Sequence, residues 1–591
     1  KLTDKIEETS MINVIRKGFS IYDIQIDCAF FNPVSSKNPE MEKQYQKNIL
    51  SVIRQARFDD QGHSVDMLLC LNGLPVATAE LKNPATDQDY KNAIKQYKED
   101  RDSRNPLFRF KRGALVHFAV DPFQVHMTTK LQDDATVFLP FNKGRDEGSG
   151  NPDNPNGYRT SYLWEQIWQK ETWLEIIANF IDHQIIPQKP PVEDKELLIF
   201  PRYHQLEAVL NLTSATRQNG IGTNYLVEHS TGSGKSNTIA WLAYKLFSLH
   251  DDNDEPVFDG VLVLSDRIVI VNQLGNTIKQ FEKTEGVVTK VETSAELAEN
   301  LETQKQILIS TQQKFPYVLD KISQIKGKNF AVIIDEAHSS QTGEGAEKVK
   351  QVLTNLDDEA EQESKIEDAK KDIIDQIEEK MSSRQSSENL SYYAFTATPK
   401  RKTLRLFGTK IGEDEFVPFH KYSMKQAIEE GFILDVLKNY STYDRQFKLV
   451  QTSATDKVVE GKKASRAVMN YVDTHHLNLS NKAKIIVDHF RTHVLPKIGG
   501  RAKAMVLASS RNQARLYKQE IDEYIKSKNY QNINTLVAFS GSLRDEVGNI
   551  HTEQSINGTR TEWELREKFD EVSEVWDELV GMLQEVVKKK S

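Results

Sequence analysis

The chain has 591 residues, and at roughly 100–200 residues per domain this predicts three to five domains. Its 77 basic and 86 acidic residues leave a net charge of −9, which argues against a passive nucleic-acid coat while leaving room for a local basic channel. Hydrophobic residues at 38%, with 28 Gly and 18 Pro, exclude a collagen-like or broadly disordered chain. Only Cys28 and Cys70 are present, too few for a disulfide framework or a Cys-based zinc site, which points to a reducing cytoplasmic setting. No apolar run approaches the roughly 18–20 residues of a membrane span, so no membrane partner is expected. No signal peptide follows Lys1, and no repeat with a period of about 20–50 residues is visible.

Residues 1–185 mix short strands with helices. HSVDMLLCLNGLPVATAELKN (63–83) reads as two strands around Asn72-Gly73, a strong hairpin signal. Glu80 and Lys82, two apart, share one face of the second strand. Whether Asp66 shares that face depends on the loop. A two-residue turn would pair Asp66 with Ala79 and send Glu80 to the other side, whereas an odd loop puts both carboxylates together. Gly73 suits the left-handed position of a three-residue loop, so an odd loop is predicted. Two carboxylates on one face can hold Mg²⁺ through oxygen ligands, the ion activating a water, with Lys82 stabilising developing negative charge. Charged period-two faces are ordinary on solvent-exposed strands, but strands carrying Leu68, Leu69, Leu71 and Leu81 need a reason for their charges.

Further on, RDSRNPLFRFKR (101–112) interleaves five basic residues with Phe108 and Phe110. It reads equally as a DNA-phosphate contact or as a cationic edge strand. GRDEGSGNPDNPNG (144–157) is loop by composition, 162–185 reads as helical, and QKPPVEDKE (188–196) as a linker.

Residues 200–435 alternate compact apolar runs with helical patterns. VLVLS (261–265), ILIST (307–311), FAVIID (330–335) and YYAFTAT (392–398) read as buried parallel strands of an α/β domain. HSTGSGKSNT (229–238) supplies a strand–Gly-loop–helix context for phosphate binding. Gly232 and Gly234 let backbone amides turn toward phosphate, Lys235 would reach the β- and γ-phosphates, and Ser236 would hold Mg²⁺. His229 stands where the first glycine of GxxxxGK[ST] is expected. Asp335-Glu336-Ala337-His338 closes an apolar strand, placing one acid to hold Mg²⁺ and the second to polarise the attacking water. The two halves together predict nucleotide hydrolysis. A charged segment at 355–389, with Ile366, Ile373, Ile374, Ile377 and Met381 on one helical face, reads as a helical insertion.

Residues 436–591 begin another α/β pattern, with AMVLASS (504–510) as its clearest strand. From Leu565 the apolar residues fall on one face of a long helix ending in Lys588, Lys589 and Lys590.

These motifs carry a resemblance. TGSGKS, DEAH and FTATP (395–399) resemble motifs I, II and III of superfamily 2 helicases and translocases. Arg202-Tyr203-His204-Gln205 is similar to the adenine-reading glutamine motif. LSDRIVIVNQL (264–274), ISTQQKF (309–315) and ASSRNQA (508–514) resemble motif Ia, its neighbour and motif IV. The likeness implies that Gln205, Thr231, Gly232, Ser233, Gly234, Lys235, Ser236, Asp335, Glu336 and His338 bind nucleotide. It also implies that His338, Thr396 and Thr398 couple hydrolysis to movement on DNA. The segment Asp66…Glu80-x-Lys82 resembles the PD-(D/E)xK nuclease motif, with Val65 in place of its proline. AIKQYKED (93–100) resembles a glutamine motif of some such nucleases. Gln96 matches its Gln, and Asp100 stands where Tyr is expected, with Tyr97 as a substitute. A further acid is often present in that fold, and Glu7, Glu8 and Glu42 are all candidates.

A nuclease followed by a translocase motor resembles the restriction subunit of type I restriction–modification enzymes, and LNGLPVATAELKN, TVFLPFNKG and GYRTSYLWEQIWQ are similar to that family. The resemblance covers residues 1–560. It implies an α/β multidomain chain, with a PD-(D/E)xK domain at 1–187, a linker at 188–199, and RecA-like parallel-sheet domains at 200–435 and 436–591, the last incomplete. It implies ATP- and Mg²⁺-dependent translocation of double-stranded DNA with endonucleolytic cleavage. It also implies assembly with methylation and specificity subunits, of which the partners bind S-adenosylmethionine. No segment resembles motifs V and VI, so truncation is expected, together with weak ATP binding and poor hydrolysis by the chain as it stands. A DNA helicase or repair translocase with an accessory N-terminal domain, a non-catalytic DNA-binding module, and a standalone restriction enzyme are the competing readings.

Overall fold

A computed structural model describes residues 1–33, 37–186, 195–266, 268–280, 286–303, 306–314, 327–337 and 389–435. Beyond these it describes 476–496, 503–508, 510–530, 533–539, 541–544, 549–558 and 564. The 355–389 insertion before Asn389, His338 and the helix expected from Leu565 lie outside the described residues. The chain forms two compact units, 1–434 and 435–591.

The first sheet has six strands in chain order: β1 (Leu50–Arg57), β2 (Ser64–Leu71), β3 (Leu74–Leu81), β4 (Val116–Val120), β5 (Val125–Thr128) and β6 (Leu139–Pro140). All neighbours are antiparallel except β3 and β4, which are parallel and joined through helix α1 (Tyr90–Glu99). Such a pair needs a crossover, and α1 supplies it. Asp89 starts α1 with a capping box closed by Asn92, which satisfies two otherwise orphaned backbone donors.

The hairpin between β2 and β3 departs from the expected odd loop. Leu71 pairs with Leu74, so Asn72-Gly73 is a two-residue turn, with φ of 50° and 83° at its two residues. Positive φ at both central positions is the geometry that matches strand twist, and Asn-Gly is its preferred sequence. The register then shifts. Cys70 pairs with Pro75 but Leu69 with Ala77, leaving Val76 as a bulged residue. One extra residue reverses the facing of everything beyond it, so Met67 meets Ala79 and Asp66 comes opposite Glu80.

The second sheet has seven strands, all parallel: β9 (Asn224–His229), β10 (Gly260–Ser265), β11 (Val288–Lys290), β12 (Ile307–Thr311), β13 (Phe330–Ile334), β14 (Leu390–Thr396) and β15 (His420–Tyr422). Their order is β11-β12-β10-β13-β14-β9-β15. β10, β12, β13 and β14 are buried at every position, as continuous apolar runs covered on both faces require. Helices α2 (Tyr203–Asn219) and α3 (Lys235–Phe247) flank the nucleotide loop.

The stretch read as helical at 162–185 is interrupted. Helical turns at 163–167, Lys170–Glu175 and 176–180 give way to strand β7 (Asp182–Ile186). β7 pairs antiparallel with β8 (Lys195–Ile199), so the last five residues of the linker expected at 188–199 are strand, while 188–194 lie outside the described residues. The two sheets share one core. Phe118 of β4 lies 6.0 Å from Phe200, and Phe141 lies 5.6 Å from Tyr203 of α2, ring centre to ring centre.

In the second unit, α5 (His476–His489) and α6 (Arg511–Ser527) pack through Ala483, Val487, Ile521 and Ile525, beside a short hairpin of β16 (Ser542–Arg544) and β17 (Ile550–Thr552). The expected strand at 504–510 is not formed: residues 503–508 carry no regular structure, and Met505 and Leu507 are 86% exposed. An apolar run becomes a central strand only where neighbours pair with both edges, and no described strand pairs with this one.

Candidate nuclease and nucleotide sites

The hairpin bulge builds the first site. Asp66 is held by two donors, with Gln55 Nε2 2.8 Å from Oδ1 and the Leu81 amide 2.8 Å from Oδ2. Glu80 is fully buried. Its Oε1 accepts from Arg101 Nε at 2.9 Å, with Arg101 Nη2 at 2.7 Å, while Oε2 is buried with no hydrogen-bond partner. Burial pushes the Glu80 carboxyl up to about 7; Arg101 opposes that rise, and the neighbouring Asp66 adds to it. Lys82 lies one step past β3, and its Nζ donates to Gln96 Oε1 of α1 at 2.5 Å. Asp66, Glu80, Lys82 and Gln96 are thus gathered at one end of the β2–β3 hairpin under α1.

Tyr97, expected to substitute for the missing tyrosine, lies on α1 next to Gln96. It is fully buried, and its hydroxyl bonds Thr78 Oγ1 at 2.9 Å, while Thr78 also meets His117 Nδ1 at 2.7 Å. Among the candidate further acids, Glu7 pairs with Arg109 and Arg112, Glu8 with Lys5, and Glu42 accepts from Gln46. Among the described residues, no group of three or more His, Cys, Asp or Glu converges as a metal cage. The 101–112 stretch is turns rather than an edge strand. Its charges are engaged internally: Arg101 on Glu80, Arg104 on Asp102, Arg109 and Arg112 on Glu7, and Lys111 on Glu196.

The second site sits at the carboxyl ends of β9 and β13. Gly232 and Gly234 have φ of 77° and 78°, the left-handed backbone that turns the loop 230–234 onto the start of α3. Lys235 Nζ donates to Glu336 Oε1 at 2.8 Å, so the two halves of the motif pair meet. Asp335 is 6% exposed, and burial reinforced by Glu336 raises its carboxyl to about 6. Thr231 and Ser236 stand on either side of the loop, exposed and half-buried, and Ser233 is buried within it. Thr396 is buried at the end of β14, and its Oγ1 accepts from the Thr398 amide at 3.3 Å.

Gln205 braces the loop. Its Nε2 donates to the carbonyls of Ser233 and Gly234 at 3.2 and 3.0 Å, and His204 Nε2 lies 3.0 Å from the same Ser233 oxygen. His229, in place of glycine, ends β9 without a positive φ. It is fully buried 3.0 Å from His420, which in turn lies 3.2 Å from Glu207.

The sequence gives no role at the first site to Arg101 or Gln55, and places Arg202 only within the glutamine motif. Arg101 was read as a surface cation, yet only its burial beside Glu80 gives it a role. Gln55, opposite Asp66, has a φ of 49°; strain of this kind at a non-glycine concentrates at functional sites. Arg202 stacks 4.1 Å over Phe432 and donates to the Gly232 carbonyl at 2.9 Å. Arg101 and Gln55 have no signal in the motifs, because their roles come from the strands and turns packed beside them.

A six-stranded mixed sheet carrying the Asp66–Glu80 pair is thus joined in one compact unit to a seven-stranded parallel sheet carrying the glycine loop and Asp335-Glu336. Residues 11–136 match the type I restriction enzyme R protein N terminus family, and residues 204–468 match the SWI2/SNF2 ATPase family. The chain is 22% identical over 635 aligned positions to the type I restriction enzyme MjaVIIIP endonuclease subunit of Methanocaldococcus jannaschii, covering 98% of this chain and 54% of that protein. It is 22% identical to the SsaAORF53P endonuclease subunit of Staphylococcus saprophyticus, covering 70% and 38% respectively. It is 26% identical to the HindI endonuclease subunit of Haemophilus influenzae, covering 47% and 26%. A fragment of an HsdR subunit of a type I restriction enzyme from Vibrio vulnificus aligns at 16% identity and a TM-score of 0.30, over 82% of this chain and 72% of that one. The chain therefore spans about half or less of the length of these curated relatives. Its N-terminal segment is thus similar to the N terminus of type I restriction enzyme R proteins, the following segment to SWI2/SNF2 ATPases, and these relatives are endonuclease subunits of type I restriction enzymes.

Proposed function

We propose that this chain carries the nuclease and motor parts of a type I restriction subunit, coupling ATP-driven translocation of double-stranded DNA to Mg²⁺-dependent endonucleolytic cleavage. The observation that carries the reading is the pairing of Asp66 with Glu80 beside Lys82, on the same compact unit as the Lys235–Glu336 contact.

The residues present fit a divalent ion at the nuclease site. Glu80 Oε2 is a buried oxygen without a partner, and Asp66 lies across the strand from it. Those two carboxylates would hold Mg²⁺, which when bound supplies an activated water. Lys82, oriented by Gln96, places positive charge where the phosphodiester develops negative charge. At the motor site the loop amides, Thr231 and Lys235 would take the phosphates of ATP, Ser236 and Asp335 would hold its Mg²⁺, and Glu336 would orient the attacking water. Gln205 acts by fixing the loop carbonyls, and His338 is assigned to coupling by its motif.

The further partners in this reading are the methylation and specificity subunits, which would recognise the DNA site and bind S-adenosylmethionine, in the cytoplasm. Among the described residues no helix is long and apolar enough to cross a membrane. The test is reconstitution with those two subunits and assay of ATP-dependent cleavage of unmethylated circular DNA. Cleavage lost in Asp66→Ala with ATP binding intact supports the reading. Cleavage that persists in that variant, or that needs no ATP, favours a repair translocase with an accessory domain or a different nuclease.

A further inference from the structure

The turn-rich loop that leaves the first sheet after β6 does not project into solvent. Residues 144–150 dock onto β15 and the helix that follows it, α4 (Met424–Glu429). The tip is a hairpin closed between Arg145 and Gly148, with N–H to carbonyl distances of 2.9 and 2.7 Å. Its two central residues are left-handed, Asp146 at φ 51° and Glu147 at φ 60°. Neither is glycine, so the turn holds strain that surrounding contacts must offset.

Those contacts come from the motor. Lys421 Nζ donates to Glu147 Oε1 at 2.6 Å, Ser423 Oγ donates to the Glu147 carbonyl, and Lys425 Nζ donates to the Asp146 carbonyl at 3.1 Å. The Ser149 amide donates to Glu429 Oε2 at 2.7 Å. The approach is close at two glycines, where a side chain would have to displace the ends of Gln426 and Glu429. A Cβ on Gly144 would come within 2.6 Å of Gln426 Oε1, and one on Gly148 would collide with the Glu429 carboxylate. The loop base is tied to the first sheet, where Asn151 Nδ2 donates to the Phe123 carbonyl in the β4–β5 turn at 2.9 Å.

The docked segment leads directly to the nucleotide loop. The Ser230 amide donates to the Tyr422 carbonyl at 3.0 Å, and the Tyr422 ring stacks 3.7 Å from His204, which itself contacts the Ser233 carbonyl. Phe432, whose amide bonds Ala427 of α4 at 2.9 Å, lies under Arg202, and Arg202 holds the Gly232 carbonyl. Ile433 Cγ2 is 3.0 Å from where a Cβ on Gly232 would stand. One contiguous set of packed groups thus joins the nuclease sheet to the phosphate-binding turn.

We propose that loop 144–150 of the nuclease region is a positioning element of the ATP site: by clamping β15 and α4, it seats Tyr422, Phe432 and Ile433 against the phosphate-binding turn. This rests on the nucleotide-binding reading of that turn and adds a route by which nuclease and motor sense one another. Gly148→Val tests it without touching the nucleotide loop. Binding of a fluorescent ATP analogue to the full chain is expected to weaken about fivefold, with thermal unfolding close to wild type. Glu429→Ala, which removes the acceptor of the Ser149 amide, is expected to weaken binding in the same direction. Should Gly148→Val fail to fold, the ion pair gives a second test: Lys421→Glu weakens binding, and the swap Glu147→Lys with Lys421→Glu recovers it. Unchanged affinity in folded Gly148→Val, or no recovery in the swap, overturns the proposal alone, provided Lys235→Ala loses binding. Unchanged affinity in Lys235→Ala overturns the nucleotide reading and this proposal with it.

Discussion

Asp66 faces Glu80 because Val76 is one residue too many for its strand. The Asn72-Gly73 turn alone would set Asp66 against Ala79, and the bulge moves the pairing by one. The nuclease site therefore depends on backbone register as much as on its acids. Deleting Val76 is expected to abolish cleavage even though Asp66, Glu80 and Lys82 all remain. Lengthening the turn by one glycine in the deleted chain is expected to restore it in part. The measurement is plasmid nicking in the reconstituted complex with ATPase activity as control, and cleavage by the single deletion at wild-type rate would show that the register is irrelevant. Lys82→Ala, which removes a charge rather than the register, is expected to lower cleavage by about 10²–10³-fold.

Arg101 opposes the effect of burial on Glu80. The pair is almost fully buried, at 4% and 1% side-chain exposure, so removing one partner leaves the other without compensation. Arg101→Ala is expected to destabilise the first unit by about 3–5 kcal/mol. Arg101→Lys keeps the charge, but it cannot reach Glu80, Ser64 and Asp100 together as the guanidinium does. It is expected to fold, yet to need more Mg²⁺ for cleavage. Denaturant unfolding and a Mg²⁺ titration of cleavage check both, and an unchanged Mg²⁺ requirement in a folded Arg101→Lys would remove Arg101 from the site.

At the motor site, Lys235 and Glu336 are 2.8 Å apart, so each holds the other in place before any phosphate arrives. Lys235→Ala is expected to lose both ATP binding and hydrolysis. Glu336→Gln keeps the shape and the contact to Lys235 but loses the carboxylate that polarises water, so it is expected to bind ATP and release phosphate at least about 10²-fold more slowly. Parallel binding and phosphate-release assays separate the two. A Glu336→Gln variant that hydrolyses normally would reassign the water-positioning role.

How much of this was legible before the fold? The strands at 261–265, 307–311 and 330–335 were, because a sheet buried on both faces demands uninterrupted apolar runs. The glycine turn ahead of α3 and the place of Asp335-Glu336 after β13 were legible for a related reason: both follow apolar strands and are marked by residue types at fixed positions along the chain. The facing of Asp66 and Glu80 was foreseen by a wrong route, since a bulge at Val76 leaves no mark in a run as regular as LPVATAEL. Met505 and Leu507 looked like a strand because periodicity reports apolarity, and pairing depends on neighbours elsewhere in the chain. The 144–157 loop showed its composition plainly but not its docking, which rests on Lys421 and Glu429, nearly 280 residues away by the separations of 274 and 280.

Buried histidines give the first unit an acid limit. His117 is 1% exposed, between Thr78 and the rings of Tyr97 and Phe108, and burial lowers it from its ordinary 6.5 to about 3. His126, stacked on Tyr90 at 4.2 Å, is lowered to about 4 in the same way. Between the folded and unfolded values the unfolded chain binds more protons, so stability rises with pH in that window and is lost as pH falls below 6.5. Glu80, raised to about 7, acts in the opposite sense, gaining rather than losing stability as pH falls toward its unfolded value. The absolute curve therefore mixes these terms, and the informative quantity is a difference. His117→Gln removes one titration, and the stability of wild type relative to this variant is expected to fall by about 1.4 kcal/mol for each pH unit between 6.5 and 3 over which the fold persists. Denaturant unfolding of both proteins at pH 7, 6 and 5 measures it, and a constant difference across that range would mean that His117 is not held neutral by the fold.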